Sequence, residues 1–473
     1  MTKSEDSFSS STIAGLIAMG LAVLVIANDF TALSVALPAM EKDFRADVTT
    51  VQWVINGYAL VFGVLIVSGG RLADMFGRRR IFFLGCIIFA VASVIGGFAP
   101  NVALLLTCRA VMGVAGAMMW PAILGMTYAI LPHSKAGLAG GLILGAAGFG
   151  NAVGPLLGGF LTDVINWRWI FFLNLPIAVL AIVVTMRVVA KDEGSATEHR
   201  IDYAGIIALS LSLCALLLAL DQGVDVGWTA PRIIALFVVS AGGLMAFVLI
   251  ERVAGNKALI PHDVMRNGLF LAACVAVLLM SAIFFASLLY LPQFMAKVLG
   301  YSALESGVGL LPLMGVFAIT SFVAGPLYTR LGPKVIVSLG AAFLALGIFL
   351  LSRLHPTSEF SELIPGMVIL GIGVGLFYSS ITTTAVTAVD PSEASLAGGI
   401  VYMFQIAGGS IGLGVNTALV ATAPTLVQGI RTAFLVDAVL AACGLLICLL
   451  FVGGEVNVAL LRGLRHHHRA HAP

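Results

Sequence analysis

Three ionisable side chains stand deep inside long apolar runs: Asp29, Arg109 and Asp437. A charge at the centre of a lipid-embedded helix costs at least about 2.5 to 3.5 kcal/mol, and residues kept at that cost mark working sites. An acid beside a guanidinium offers proton chemistry. Loss of water disfavours a carboxylate and a nearby cation favours it, so a change in distance or hydration loads or releases one proton. Asp29 and Arg109 are read as such a proton-coupling pair, with a purely structural ion pair as the alternative. Counted at about 1.5 Å per residue from the expected span ends at Pro38, Val102 and Thr432, Asp29, Arg109 and Asp437 lie roughly 13, 10 and 8 Å deep. Asp437 is read either as a cavity-facing acid that contacts cationic ligands or as a boundary residue reaching water.

A second group of residues reads as machinery for movement. The stretch GGRLADMFGRRR (69–80) is a Gly-rich basic turn between two apolar runs. Gly69, Gly70 and Gly77 permit close helix approach and positive backbone angles, while Asp74 can cap the next helix or pair with Arg78, Arg79 or Arg80. Gly70, Asp74, Gly77, Arg78 and Arg79 therefore form a candidate conformational hinge. The spacing returns in GPLYTRLGPK (325–334), with Gly70 matched by Gly325, Leu72 by Leu327, Gly77 by Gly332 and Arg79 by Lys334. Two related halves explain the repeat, since internal repeats are a transporter habit; the competing reading is that short loops collect Gly and Arg. Further along, Gly150, Gly154 and Gly158 share one helix face at spacing four, and Pro155 adds a kink, which makes a groove for a closely packed partner helix.

Polar and aromatic residues at mid-span supply candidate substrate contacts: Asn56, Tyr58, Asn151, Tyr378, Gln405 and, from the acids, Asp437. Each has a competing reading as a helix-packing or hydrogen-bonding residue. Trp53, Trp120, Trp167, Trp169 and Trp228 read mostly as interface anchors.

The elements that must hold these residues are membrane helices. Of the 473 residues, 60% are hydrophobic and 10% charged, and runs of about 20 apolar residues recur along the chain. After a polar Ser-rich start, the first run continues past Asp29 to Pro38, too long for the core of a cleaved signal peptide. Further spans fall near 51–70, 81–99, 102–126, 138–161, 168–187, 202–220, 232–250, 268–292, 305–328, 335–352, 363–386, 396–420 and 432–452, which with the first makes fourteen. With the N-terminus inside, 17 of the 25 Lys and Arg residues fall in inside segments and 7 in outside ones, so both termini are expected to be cytoplasmic. The domain reading is an N-terminal six-helix half (1–190), two inserted helices with flanking loops (191–267), a C-terminal six-helix half (268–455) and a basic His-rich tail (456–473). That tail suggests metal binding less than contact with anionic lipid. Cys86, Cys108, Cys214, Cys274, Cys443 and Cys448 all lie in apolar runs and read as reduced packing residues. The net charge of +2 gives no indication of nucleic acid binding, and there is no metal-ligand spacing, nucleophile constellation or phosphate loop that would indicate an enzyme or a cofactor.

On these residues the chain resembles the fourteen-helix drug:proton antiporter branch of the major facilitator superfamily, over nearly its whole length. The carriers are NDFTALSVALPAM (28–40), VQWVINGYAL (51–60), the 69–80 turn, RAVMGVAGA (109–117), GNAVGPLLGG (150–159), WRWIFFLNLP (167–176) and LGYSALESGVGLLPL (299–313). The resemblance implies that the 150–159 segment limits leakage and biases the cycle toward export. Two positions depart from the family pattern: Met75 replaces a usual basic residue of the turn, and Met112 replaces a usual Gln, removing a hydrogen-bond partner from Arg109.

The sequence is thus read as an all-α polytopic plasma-membrane protein of the major facilitator fold, functional as a monomer. Its expected partners are a small-molecule substrate, protons and membrane lipids. The expected function is proton-coupled antiport that exports lipophilic small molecules, cations among them, by alternating access. The alternative is a facilitator-superfamily transporter of one specific metabolite, with a membrane enzyme or channel as a remoter third reading.

Overall fold

The computed structural model describes residues 9–190, 202–255 and 258–452. Most of the polar linker after residue 190 and the whole His-rich tail fall outside them. The helices are α1 (Ser10–Phe44), α2 (Val48–Phe76), α3 (Arg78–Gly97), α4 (Val102–Ile130), α5 (Ala136–Val164), α6 (Trp169–Val188), α7 (Tyr203–Val226), α8 (Pro231–Ala254), the short α9 (His262–Arg266), α10 (Gly268–Lys297), the short α11 (Ala303–Gly309), α12 (Leu311–Leu331), α13 (Pro333–Leu351), α14 (Phe360–Thr387), α15 (Ala394–Thr422) and α16 (Leu426–Phe451). Among the described residues, fourteen helices are long and apolar enough to cross a membrane, α11 and α12 counting as one span.

Local sequence explains where they start. Asp47, Asn101, Asn267 and Thr425 each accept a hydrogen bond from a backbone N–H in the first turn of α2, α4, α10 and α16, satisfying donors that lipid could not. Ser302 and Glu305 form a reciprocal capping box on α11. The hydroxyl of Thr50 donates to Asp47 and holds its carboxyl below the usual range. The two repeated turns are built alike: Gly77 at φ +99° separates α2 from α3, and Gly332 at φ +84° separates α12 from α13. Only glycine takes such angles without strain, which explains its recurrence at both places.

Helices α1 to α6 pack among themselves, as do α10 and α12 to α16. The two halves meet along a seam where α5 lies on α12 and α14, and α2 and α4 lie on α15. Helix α7 touches both α2 and α15 and carries α8 on its outer side, the two joined by a bond from the Ser212 hydroxyl to the Ser240 carbonyl. Few residues of α8 are buried, Ile233, Ser240 and Phe247 among them, and its exposed Val238, Met245, Leu249 and Val253 face outward, as lipid contact requires.

Two expectations change. Helix α16 begins at Leu426, six residues before the expected span end, which moves Asp437 from the outer part of its span to the midpoint of its helix. Trp120, well inside α4, is buried in the bundle rather than interfacial, and Trp167 is buried at the bundle end. Trp120 packs on Phe62 and Tyr402, and the Trp167 indole N–H donates to Asp43 with the Arg168 guanidinium stacked over it.

Candidate functional site

Asp29 sits in the middle of α1 with no exposed surface. An Nη1 of Arg109, equally buried on α4, donates to its Oδ2. Its Oδ1 accepts from Asn174 Nδ2 at 3.3 Å. Asn174 also reaches the Ser93 hydroxyl at 3.1 Å, which donates to the Phe171 carbonyl at 2.8 Å. Arg109 is fixed on its other sides by Nε donating to the Val54 carbonyl at 2.6 Å and by the Tyr58 ring, 4.2 Å from the guanidinium carbon. A charge pair withdrawn from water is tolerated only with such additional partners. The cage is nonetheless incomplete, because Arg109 Nη2 and the Tyr58 hydroxyl have no hydrogen-bond partner among the described residues. Met112, where the family pattern has Gln, offers only its sulfur, 4.0 Å from Nη1.

The glycines of α5 make two stripes with different duties. Gly150, Gly154 and Gly158 face α1: a Cβ on Gly150 would stand 2.8 Å from the Leu24 carbonyl oxygen, and on Gly154 and Gly158 it would collide with Thr31 and the Ala32 carbonyl. These contacts bracket Asp29, so the stripe presses the acid-bearing segment of α1 into place within its own half. The inter-half seam uses another set. Gly137, Gly141, Gly145 and Gly148 meet the Gly325 and Ser321 carbonyls, Phe322 and Phe317 of α12. A sequence signal for this second stripe exists too, since AGLAGGLILGAAGFG (136–150) carries the same small-residue spacing.

At the end of the bundle carrying the basic turn, the halves are latched. Asp74 accepts from Arg78 Nε at 2.9 Å and also from the backbone N–H groups of Leu396 at 2.7 Å and Ser395 at 3.3 Å. It therefore caps α15 of the other half, not the following helix. Arg78 adds bonds to the Gly125 carbonyl at 3.1 Å and, across the seam, to the Pro391 carbonyl at 2.5 Å. Arg79 donates to the Val189 and Met186 carbonyls at 2.6 and 2.9 Å, a cation on the C-terminus of α6. Gly70 allows the approach, since a Cβ there would lie 2.6 Å from the Ser395 carbonyl oxygen. The receiving segment before α15 carries its own cap. Asp390 takes the Ser392 N–H and hydroxyl, which hold its carboxyl below the usual range. The sequence carried a signal for this receiver, because LAGG occurs at both 138–141 and 396–399, where the two repeated turns dock.

The remaining candidates are scattered. Asn56 donates to Asp221 of α7 at 3.0 Å, Tyr58 serves as the floor under Arg109, and the Tyr378 hydroxyl donates to Ser281 at 3.1 Å inside the second half. Gln405 lines a small cavity at the seam with Trp120, Leu124, Leu144, Thr382, Gly398, Val401 and Tyr402. Asn151, half-buried, lies two helical turns along α5 from Leu144, on the same face. The cavity holds only about 10 Å³, room for no more than about one water and far below the roughly 300 to 1,000 Å³ of drug-sized sites, so this conformation is closed around it. Asp437 is not among its walls. It is fully buried against Asn416, whose Nδ2 donates to it at 2.9 Å.

Residues 19–413 and 314–468 match the Major Facilitator Superfamily. The chain belongs to this superfamily. Its relatives include the puromycin resistance protein pur8 of Streptomyces alboniger, 34% identical over 89% of this chain and 83% of the relative. The tetracenomycin C resistance and export protein of Streptomyces glaucescens is 30% identical over 86% and 76%, and the multidrug resistance protein Stp of Mycobacterium tuberculosis is 32% identical over 86% and 75%. In three dimensions the chain is similar to the human organic anion transporter MFSD10, with a TM-score of 0.66 at 12% identity over 92% of this chain and 99% of that one, a likeness of fold alone. As a facilitator-superfamily member the protein is a multi-pass membrane transporter of small molecules and not an enzyme. The seam of its two halves is where such a fold alternates its access.

Proposed function

We propose that the protein exports lipophilic small molecules, cations among them, across the plasma membrane in exchange for protons. The observation that carries this reading is the fully buried Asp29–Arg109 pair inside two membrane-length helices, in a chain whose relatives are named for antibiotic resistance and export. Water entering between α1 and α4 would change the balance between carboxylate and acid, so alternate exposure of Asp29 to the two sides takes up a proton on one and gives it up on the other. Each charge moved inward through the membrane potential contributes about 2.3 kcal/mol per 100 mV.

In this reading the basic end is cytoplasmic and both termini are inside, and the conformation described is the one sealed toward the cytoplasm by Asp74 and Arg78. The Asn151 and Gln405 faces contribute to the substrate site when the seam opens. The monomer is the working unit, held in place by lipid. Accumulation of a lipophilic cationic dye by inside-out vesicles, energised by an acid interior, tests the function. The dye should enter against its gradient and leak back when the pH difference is collapsed; accumulation indifferent to that collapse would refute proton exchange. A reporter inserted near Asp225 should be external, and an internal one would refute the orientation.

A further inference from the structure

The second half buries an acid that the proposed coupling site does not use. Asp437 lies at the midpoint of α16 with no exposed surface, and no Lys, Arg or His among the described residues pairs with it. It accepts a hydrogen bond from a neutral amide, Asn416 Nδ2 to Asp437 Oδ2 at 2.9 Å. The other oxygen of each group, Asp437 Oδ1 and Asn416 Oδ1, is buried and without a partner among the described residues. A carboxylate and an amide oxygen are both acceptors only, so the pair as a carboxylate leaves two acceptors unsatisfied and one negative charge in hydrocarbon.

One proton resolves all of this. We propose that Asp437 and Asn416 form a second proton-binding site, in which a neutral Asp437 donates its Oδ1–H to Asn416 Oδ1 while accepting the amide N–H on Oδ2. The result is a closed acid–amide ring that needs no cation. The groups that face it agree. From α10, the Tyr290 hydroxyl donates to Thr417 of α15 at 2.8 Å, turning its proton away from Asp437. Helix α15 contributes Asn416 and Thr417 and no charged side chain. Helix α13 has its one ionisable residue, Lys334, at the far terminus, and along α16 Arg431 and Cys443 stand six residues to either side. The site rests on this geometry and does not depend on Asp29 being the coupling acid.

The infrared carbonyl band of a protonated carboxylic acid in purified full-length protein near neutral pH tests the site. Wild type and Asp29→Asn should show a band that carbon-13 labelling of aspartate shifts and that Asp437→Asn removes entirely. Asn416→Leu should move that band to higher frequency, because the ring hydrogen bond is gone. Asp437→Asn preserves shape and can close the same ring as an amide pair, so it should fold, and the isotope shift in wild type provides a readout that no variant is needed for. Absence of any labelled acid band that depends on Asp437 would overturn the protonated state, and a band unmoved by Asn416→Leu would overturn the pairing.

Discussion

The first half and the second half each bury one aspartate well inside a membrane-length helix, and they neutralise it by different means. Asp29 in α1 is met by the guanidinium of Arg109 and the amide of Asn174, so its charge is balanced but its environment depends on where α4 and α6 stand. Among the described residues, Asp437 in α16 is met by Asn416 alone. The two repeated turns differ in the same sense. In the first, Asp74 and Arg78 bridge the seam with charge-assisted bonds; in the second, the matching positions are Thr329, which bonds back to its own helix at Gly325, and Pro333. The close approach there is made by backbone, with a Cβ on Gly325 placed 2.8 Å from the Gly137 carbonyl oxygen. The pseudo-symmetry thus keeps the shape while the charge-paired acid and the charged latch both sit in the first half, which makes that half the candidate for coupling proton movement to the seam.

The largest effect is expected from Arg109→Ala. Breaking a buried pair by removing one partner costs about 3 to 5 kcal/mol, so thermal unfolding in detergent should fall markedly and efflux should be lost. Adding Asp29→Asn to Arg109→Gln should recover the stability without recovering uphill transport. If Arg109→Ala is no less stable than Asp437→Ala, the two acids are not differently compensated and the comparison fails.

Next in size are Asp74→Asn and Arg78→Ala, which remove the charged half of the latch, each charge-assisted bond being worth about 1.5 to 3 kcal/mol. Initial efflux rates at equal protein level should drop while insertion is unchanged, and cysteines paired across the Asp74–Leu396 contact should cross-link less. Thr329→Val sharpens the contrast, since its hydroxyl bonds only within α12, and should leave both readouts as in wild type. Equal losses from the two turns would show that charge is not what distinguishes them. The smallest effect is expected from Asp437→Asn: the amide replaces a neutral acid in the same ring, so efflux of cationic and neutral substrates should stay near wild type. A loss confined to cations would instead place Asp437 in the substrate path.

Much of this was legible in the chain, for physical reasons. Lipid forces every span to satisfy its own backbone, so apolar length alone counted fourteen helices, and a lone Asp or Arg within a span announced itself by its cost. Partners were harder to read. Asn174 and Ser93, which complete the Asp29 site, are ordinary polar residues in apolar helices, and nothing local says that they face α1. Asp74 could be foreseen as a cap, but the helix it caps is more than three hundred positions away in sequence. The α5 glycines showed the same limit: spacing identified a close-packing face at Gly150, Gly154 and Gly158, while which helix packs there, and that Gly137 to Gly148 form the seam, depends on tertiary arrangement.

The proposed coupling rests on proton exchange at Asp29 in response to substrate. It is tested most directly by proton release from purified protein in weakly buffered detergent solution, followed with a pH dye as a lipophilic cation is added. Wild type and Asp437→Asn should release protons in proportion to bound substrate, and Asp29→Asn should bind the substrate and release none. Undiminished release from Asp29→Asn would contradict the account and remove Asp29 from the coupling mechanism.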